Sequence, residues 1–292
     1  MRAAPSQVPS PAPAASPVFA VASSSEASQS RLLARRLLWL VAGFVVLDVY
    51  LNVPNFVQLP PVAWLALYAG FFPLVHGMGR LSGVGGLGEL GLALHRGWGR
   101  NLLLGFVFCA AFWALKYGLL WALDAFRIEG VRPAGDATVL LAQALLAMFL
   151  SSATDDVLVR GFFFRHLSGH LSAGALVTLT TCFYIVNHAW YVRLTLEDAV
   201  FLGLIGLMFA LALVRTGSLW LGIGLHWGGN VVYRLHDGFD AQGGVLRRVE
   251  LARAPWHEGL GLGVTALALA ALFLLFRFTV RSEREGPLFA RG

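Results

Sequence analysis

A chain of 292 residues that is 57% hydrophobic and 13% charged, with a mean hydropathy of +0.69, has too little polar surface for a water-soluble domain, where about a quarter of residues are charged. The net charge of +6 comes from arginines scattered over many short segments and not gathered on one face, which excludes nucleic acid as a partner. Cys109 and Cys182 both fall in apolar runs, so neither a disulfide framework nor a thiolate metal cluster is expected.

In chain order, residues 1–30 come first. Pro5, Pro9, Pro11, Pro13 and Pro17 lie there among Ala and Ser, a composition that builds no core and reads as a disordered tail. The apolar stretch Val18 to Ala22 follows a proline and is too short for the core of a signal peptide. Residues 31–285 then read as a transmembrane helical domain. Apolar runs long enough to cross roughly 30 Å of hydrocarbon recur near 37–57, 61–78, 102–123, 138–159, 172–190, 197–214, 217–234 and 259–280. The expected fold is all-α, a polytopic bundle of about eight transmembrane helices, with residues 286–292 as a short cytoplasmic tail.

Cytoplasmic loops carry the excess of Lys and Arg. With the N-terminus inside, fourteen arginines, Arg160 among them, fall in inner segments and seven in outer ones. The outer seven are offset by acids such as Asp124, Glu129, Asp237 and Glu250. Both termini are therefore expected in the cytoplasm, and the loop from Leu235 to Glu258 outside. An integral protein of a bacterial cytoplasmic membrane, with membrane lipid as a partner, is the expected setting.

Ionisable residues at membrane depth are costly, so each is a functional candidate by default. Asp48 is alone on its helix, and Lys116 is close enough to an outer end to snorkel, so both read as structural or interfacial. The remaining candidates are Asp155, Asp156 and Arg160 on the fourth run, His188 on the fifth, and His226 with Asn230 on the seventh. In TDDVLVRG the i, i+4 spacing lets Asp156 pair with Arg160, while Asp155 points about 100° away and stays free. A solvated helix end with both acids in water is the plainer reading of the same residues. In GLHWGGNVV the spacing puts His226 and Asn230 on one face, and both are able to donate a hydrogen bond to a developing oxyanion while uncharged. Gly222, Gly224, Gly228 and Gly229 equally suggest close helix packing, where His and Asn simply bond to neighbours. His188, beside Trp190 and Tyr191, could equally be interfacial. Counted at about 1.5 Å per residue, however, Asp155, His188, His226 and Asn230 reach a common depth, which favours a shared site.

The order DDVLVRG, YIVNH, VRTGSLWLGIGLHWGGN, preceded by ELGLALHRGWGRNLLLG, resembles the CPBP family of intramembrane proteases, which includes CAAX prenyl endopeptidases and bacteriocin-processing or immunity proteins. The resemblance covers about residues 85–235. It implies an intramembrane endopeptidase acting on a membrane-anchored or lipidated peptide or protein. Asp155 takes the place of the general base and His188 helps hold the attacking water. His226 and Asn230 stabilise the oxyanion, and Asp156 with Arg160 braces the site. Members are described both as metalloproteases and as glutamate-type enzymes, and Asp155, His188 and His226 form a set able to hold a divalent metal such as zinc with an open position. The sequence departs from the family pattern at two points: the usual EE is DD, which withdraws each carboxylate by about one carbon bond length, ~1.5 Å, and Tyr184 replaces Phe. A catalytically silent binding or immunity protein on the same scaffold is the alternative. A small-solute transporter would be expected to carry matching halves with broken helices, and no internal repeat is found.

Overall fold

The computed structural model describes residues 18–191, 193–239, 243–251 and 254–282, with side chains from residue 30 onward and not at 255. Its long helices are α1 (Val18–Leu51), α2 (Pro61–Leu81), α3 (Trp98–Ala122), α4 (Ala134–Asp156), α6 (Ala173–Asn187), α7 (Leu196–Thr216), α8 (Trp220–Asp237) and α9 (Pro255–Leu275). A π-helical turn, Val157–Phe162, joins α4 to the short α5 (Phe163–Leu167), so the fourth rod runs on to Leu167 and not to 159. Among the described residues, five helical stretches are long and apolar enough to cross a membrane: Pro61–Leu81, Trp98–Ala122, Ala134–Leu167, Leu196–Thr216 and Trp256–Phe278. The protein is an all-α polytopic helix bundle. Helix α1 starts at Val18, inside the stretch that reads as a tail; residues 1–17 and the C-terminal tail 286–292 lie outside the described residues.

Helix α8 occupies the middle, packed on α3, α4 and α7, while α9 lies against α3 and α7, and α6 against α7. Small residues allow this. A methyl group at Gly224 would collide with the backbone carbonyl of Leu102, and one at Gly228 with that of Phe106, so α3 and α8 approach at backbone distance and fix their relative height. Helix α7 is delimited by local chemistry. The Thr195 hydroxyl accepts from the Asp198 N–H at 3.1 Å, the Asp198 carboxylate accepts from the Thr195 N–H at 3.0 Å, and Gly217 closes the helix in the left-handed region at φ 68°. The turn into α8 is held from outside, because the Leu219 N–H donates to the Gly91 carbonyl at 2.9 Å. Gly91 belongs to a π-helical turn, Gly88–Leu92. In that turn Glu89 is held below the usual carboxylate range, first by its own backbone N–H and then by that of Gly86.

One element has no counterpart in the sequence reading. Strands β1 (Phe126–Val131) and β2 (Leu246–Glu250) form an antiparallel ribbon, tying the segment after α3 to the segment after α8. Arg248 anchors it by ion pairs with Asp237 and with Glu250. At the other end of α3, the Asn101 side chain clamps Val280, donating at 2.7 Å and accepting at 3.0 Å.

Candidate active site

The last turn of α4 carries Ser152, Asp155 and Asp156, and the π-helical turn carries Arg160. The expected i, i+4 ion pair between Asp156 and Arg160 is present, with both side chains fully buried. The plainer reading, with both acids in water, does not hold for Asp156, and Arg160, counted among the inner-segment arginines, is buried. Its guanidinium carbon lies 4.6 Å from the ring centre of Tyr184 and 4.9 Å from that of Phe209, so a carboxylate and two aromatic faces replace part of the water this cation has lost, while its Nε and Nη2 are buried with no hydrogen-bond partner among the described residues. Single π-helical turns inside α-helices recur at functional sites, where they displace side chains from the regular helical face.

Asp155 differs from its neighbour. Its side chain keeps 18% exposure, and its Oδ1 accepts a long hydrogen bond of 3.4 Å from Asn187 Nδ2 at the end of α6. From α8, His226 Nδ1 stands 3.4 Å from Asp156 Oδ2 and 3.9 Å from Asp155 Oδ2, its ring stacked on Phe209 at 4.8 Å. Asp155 Oδ2, Asp156 Oδ2 and His226 Nδ1 are buried with no hydrogen-bond partner among the described residues. Buried polar atoms are nearly always partnered, and three unpartnered atoms from two helices facing one another are what a site for water or a polar substrate group requires. Asn230, one turn beyond His226, donates to the fully buried Ser152 hydroxyl at 3.2 Å.

His188 sits just past α6, in a single 3₁₀ turn, His188–Trp190. Its Nδ1 is 2.7 Å from the Tyr184 carbonyl. A carbonyl oxygen only accepts, so Nδ1 carries the hydrogen and the neutral ring keeps its lone pair on Nε2. The Asp155 carboxylate is near enough to act electrostatically on this ring. Asp155, Asp156, Arg160, His226 and Asn230 are thus gathered where α4, its π-helical turn and α8 meet, with His188 at the edge. Among the described residues, no group of three or more His, Cys, Asp or Glu side chains is arranged to hold a metal ion.

Four residues near the site escape the sequence reading. Ser152 lies one turn before Asp156, and Asn187 precedes His188 inside YIVNH, so the i, i+4 rule and the motif itself mark them. Asp48, near the C-terminal end of α1, accepts a hydrogen bond from Trp190 Nε1 at 3.1 Å and is within electrostatic reach of Asp155. Only its presence in an apolar run signals this. Trp190 reads in sequence only as a companion of an interfacial histidine.

No curated protein and no solved structure matches the chain. Residues 137–232, which run from the first turn of α4 into α8 and contain Asp155, Asp156, Arg160, His188, His226 and Asn230, match the family model for Rce1-like type II CAAX prenyl endopeptidases.

Proposed function

We propose that this integral membrane protein is an endopeptidase that hydrolyses a peptide bond in a membrane-anchored or lipidated substrate. The observation that carries the reading is the group of unpartnered buried atoms, Asp155 Oδ2, Asp156 Oδ2 and His226 Nδ1, inside the segment that matches a protease family. Asp155, unpaired with Arg160, is the general base. It takes a proton from a water that His188 orients through Nε2, and the water oxygen bonds to the substrate carbonyl carbon. The carbonyl π electrons move to oxygen, and that charge is met by hydrogen bonds from His226 and Asn230. Collapse of the intermediate breaks the C–N bond, and the leaving amine takes the proton from Asp155. Asp156 and Arg160 neutralise each other and hold the π-helical turn in place.

A panel of membrane-anchored and lipidated peptides, incubated with the full chain in detergent or liposomes, tests this. Wild type should cleave at least one, and Asp155→Asn, which keeps the size and removes the base, should lose cleavage while remaining folded. Equal cleavage by Asp155→Asn overturns the assignment. One observation favours the binding-protein reading: the side chain of Asn230 is already engaged with Ser152. If wild type cleaves nothing and Asp155→Glu is also silent, that reading replaces hydrolysis.

A further inference from the structure

Asp48 lies on α1, outside the stretch that matches the protease family, and it is buried. A carboxylate at membrane depth is costly unless donors replace the lost water. Asp48 has two, Asn52 Nδ2 at 3.1 Å and Trp190 Nε1 at 3.1 Å. Asn52 directly follows α1, four residues on from Asp48, so the bond to Trp190 is the one that reaches across the fold. Phe56 supports it, with its ring edge-on to the Trp190 ring at a centroid distance of 5.9 Å.

Trp190 is the last residue of the 3₁₀ turn that begins with His188. Packing holds this turn only in part, through the His188 ring 4.4 Å from that of Tyr184 and through Phe56 on Trp190. None of its three residues is fully buried, Trp190 is 42% exposed and the following Tyr191 53% exposed. Helix ends with few buried contacts open locally at low cost. His188 is bonded back to α6 through its N–H and its ring; the Tyr191 N–H donates to the His188 carbonyl at 2.9 Å, which closes the turn on itself; and the Asp48 carboxylate accepts from the indole, which ties the turn to α1. With His188 Nδ1 bound to Tyr184 on the preceding turn, tying Trp190 sets where the imidazole sits relative to Asp155.

Building on the reading of His188 as the group that orients water, we propose that Asp48 is a positioning residue, holding Trp190 Nε1 and so fixing the His188 turn against the site. The test uses the full chain in detergent with isotope-labelled histidine, the His188 ring signal being assigned by its loss in His188→Gln. Asp48→Ala and Trp190→Phe should each move or broaden that signal, and the double variant should do no more than either single one. Asp48→Asn retains an acceptor oxygen for the indole and should preserve the wild-type signal. In cleavage assays the two disruptive variants should lower kcat by roughly ten- to a hundredfold with KM little changed, the scale expected for a catalytic group misplaced by about 1 Å. An unchanged His188 signal in folded Asp48→Ala overturns the proposal, and so does Asp48→Asn behaving like Asp48→Ala, since the charge and not the bond would then matter. Where Asp48→Ala does not fold, Trp190→Phe decides the same question, because it removes the donor of the same bond: an unchanged His188 signal in that variant overturns the proposal. If wild type cleaves nothing while the His188 signal responds as expected, hydrolysis fails and the positioning link stands.

Discussion

Asp155 and Asp156 are adjacent in sequence and opposite in circumstance. Asp156 is fully buried against Arg160, so neutralising it leaves a buried guanidinium without its carboxylate. Breaking such a pair costs about 3–5 kcal/mol, and Asp156→Asn should therefore lose thermal stability in detergent before any selective loss of rate is seen. A normal melting temperature with abolished cleavage would assign Asp156 a direct chemical role. Asp155 has no such pairing, and Asp155→Glu extends its carboxylate by one methylene toward the water that it is proposed to activate. Retained or raised cleavage is expected, and a folded but inactive Asp155→Glu would mean that the short side chain is matched to this backbone. Asn230→Ala should lower kcat by roughly a hundredfold or more at nearly constant KM if Asn230 meets the oxyanion, whereas loss of folded protein alone would make its bond to Ser152 a packing device. The Asp156–Arg160 pair is legible in sequence because both partners lie within one helical turn. The Asp48–Trp190 bond spans 142 residues and follows from no local spacing.

The α3–α8 seam decides how high His226 stands. Gly228 follows His226 by two residues, and a methyl group there meets the backbone of Phe106, which cannot rotate away as a side chain would. Gly228→Ala should force the helices apart, cost about 1–3 kcal/mol as overpacking does, and lower kcat as His226 shifts. Gly118→Ala is the control on α3. Open space surrounds Gly118, so the substitution should be neutral or stabilise by about 0.5–1 kcal/mol through helix propensity. Equal behaviour of the two variants, by melting temperature and turnover, would remove the seam from the explanation. Close packing at this seam is legible in sequence, because Gly224 and Gly228 stand four apart on a span. The π-helical turn is not: nothing in the spacing of VLVRGF marks a change in backbone hydrogen bonding. The β ribbon is hidden for the reverse reason, since short strands in charged connections read as loops.

The molecule as a whole has two ends, defined without reference to a membrane. Helix α3 is 25 residues long, about 37 Å at 1.5 Å per residue. The β1–β2 ribbon lies past its C-terminal end, and the Asn101–Val280 clamp sits at its N-terminal end. Arginine counting assigns 127, 132, 247 and 248 to the outer side. The ribbon pairs Arg127 with Val249 and Gly130 with Arg247, so those residues share one side by hydrogen bonding alone. Arg160 leaves the inner count because it is buried, and the inner excess survives its removal. We therefore propose an outer ribbon and cytoplasmic termini. Glu129 and Arg96 are exposed at opposite ends, which makes them better reporters than Ser282, a buried residue whose N–H donates to the Thr216 carbonyl. Cys109 is buried and Cys182 exposed, so a Cys182→Ser background removes the exposed native thiol. In intact cells a membrane-impermeant maleimide should label Glu129→Cys and spare Arg96→Cys, and permeabilisation should expose the second. Labelling of Arg96→Cys alone before permeabilisation would invert the orientation and move the N-terminal ends of α4, α7 and α9 to the cytoplasmic side.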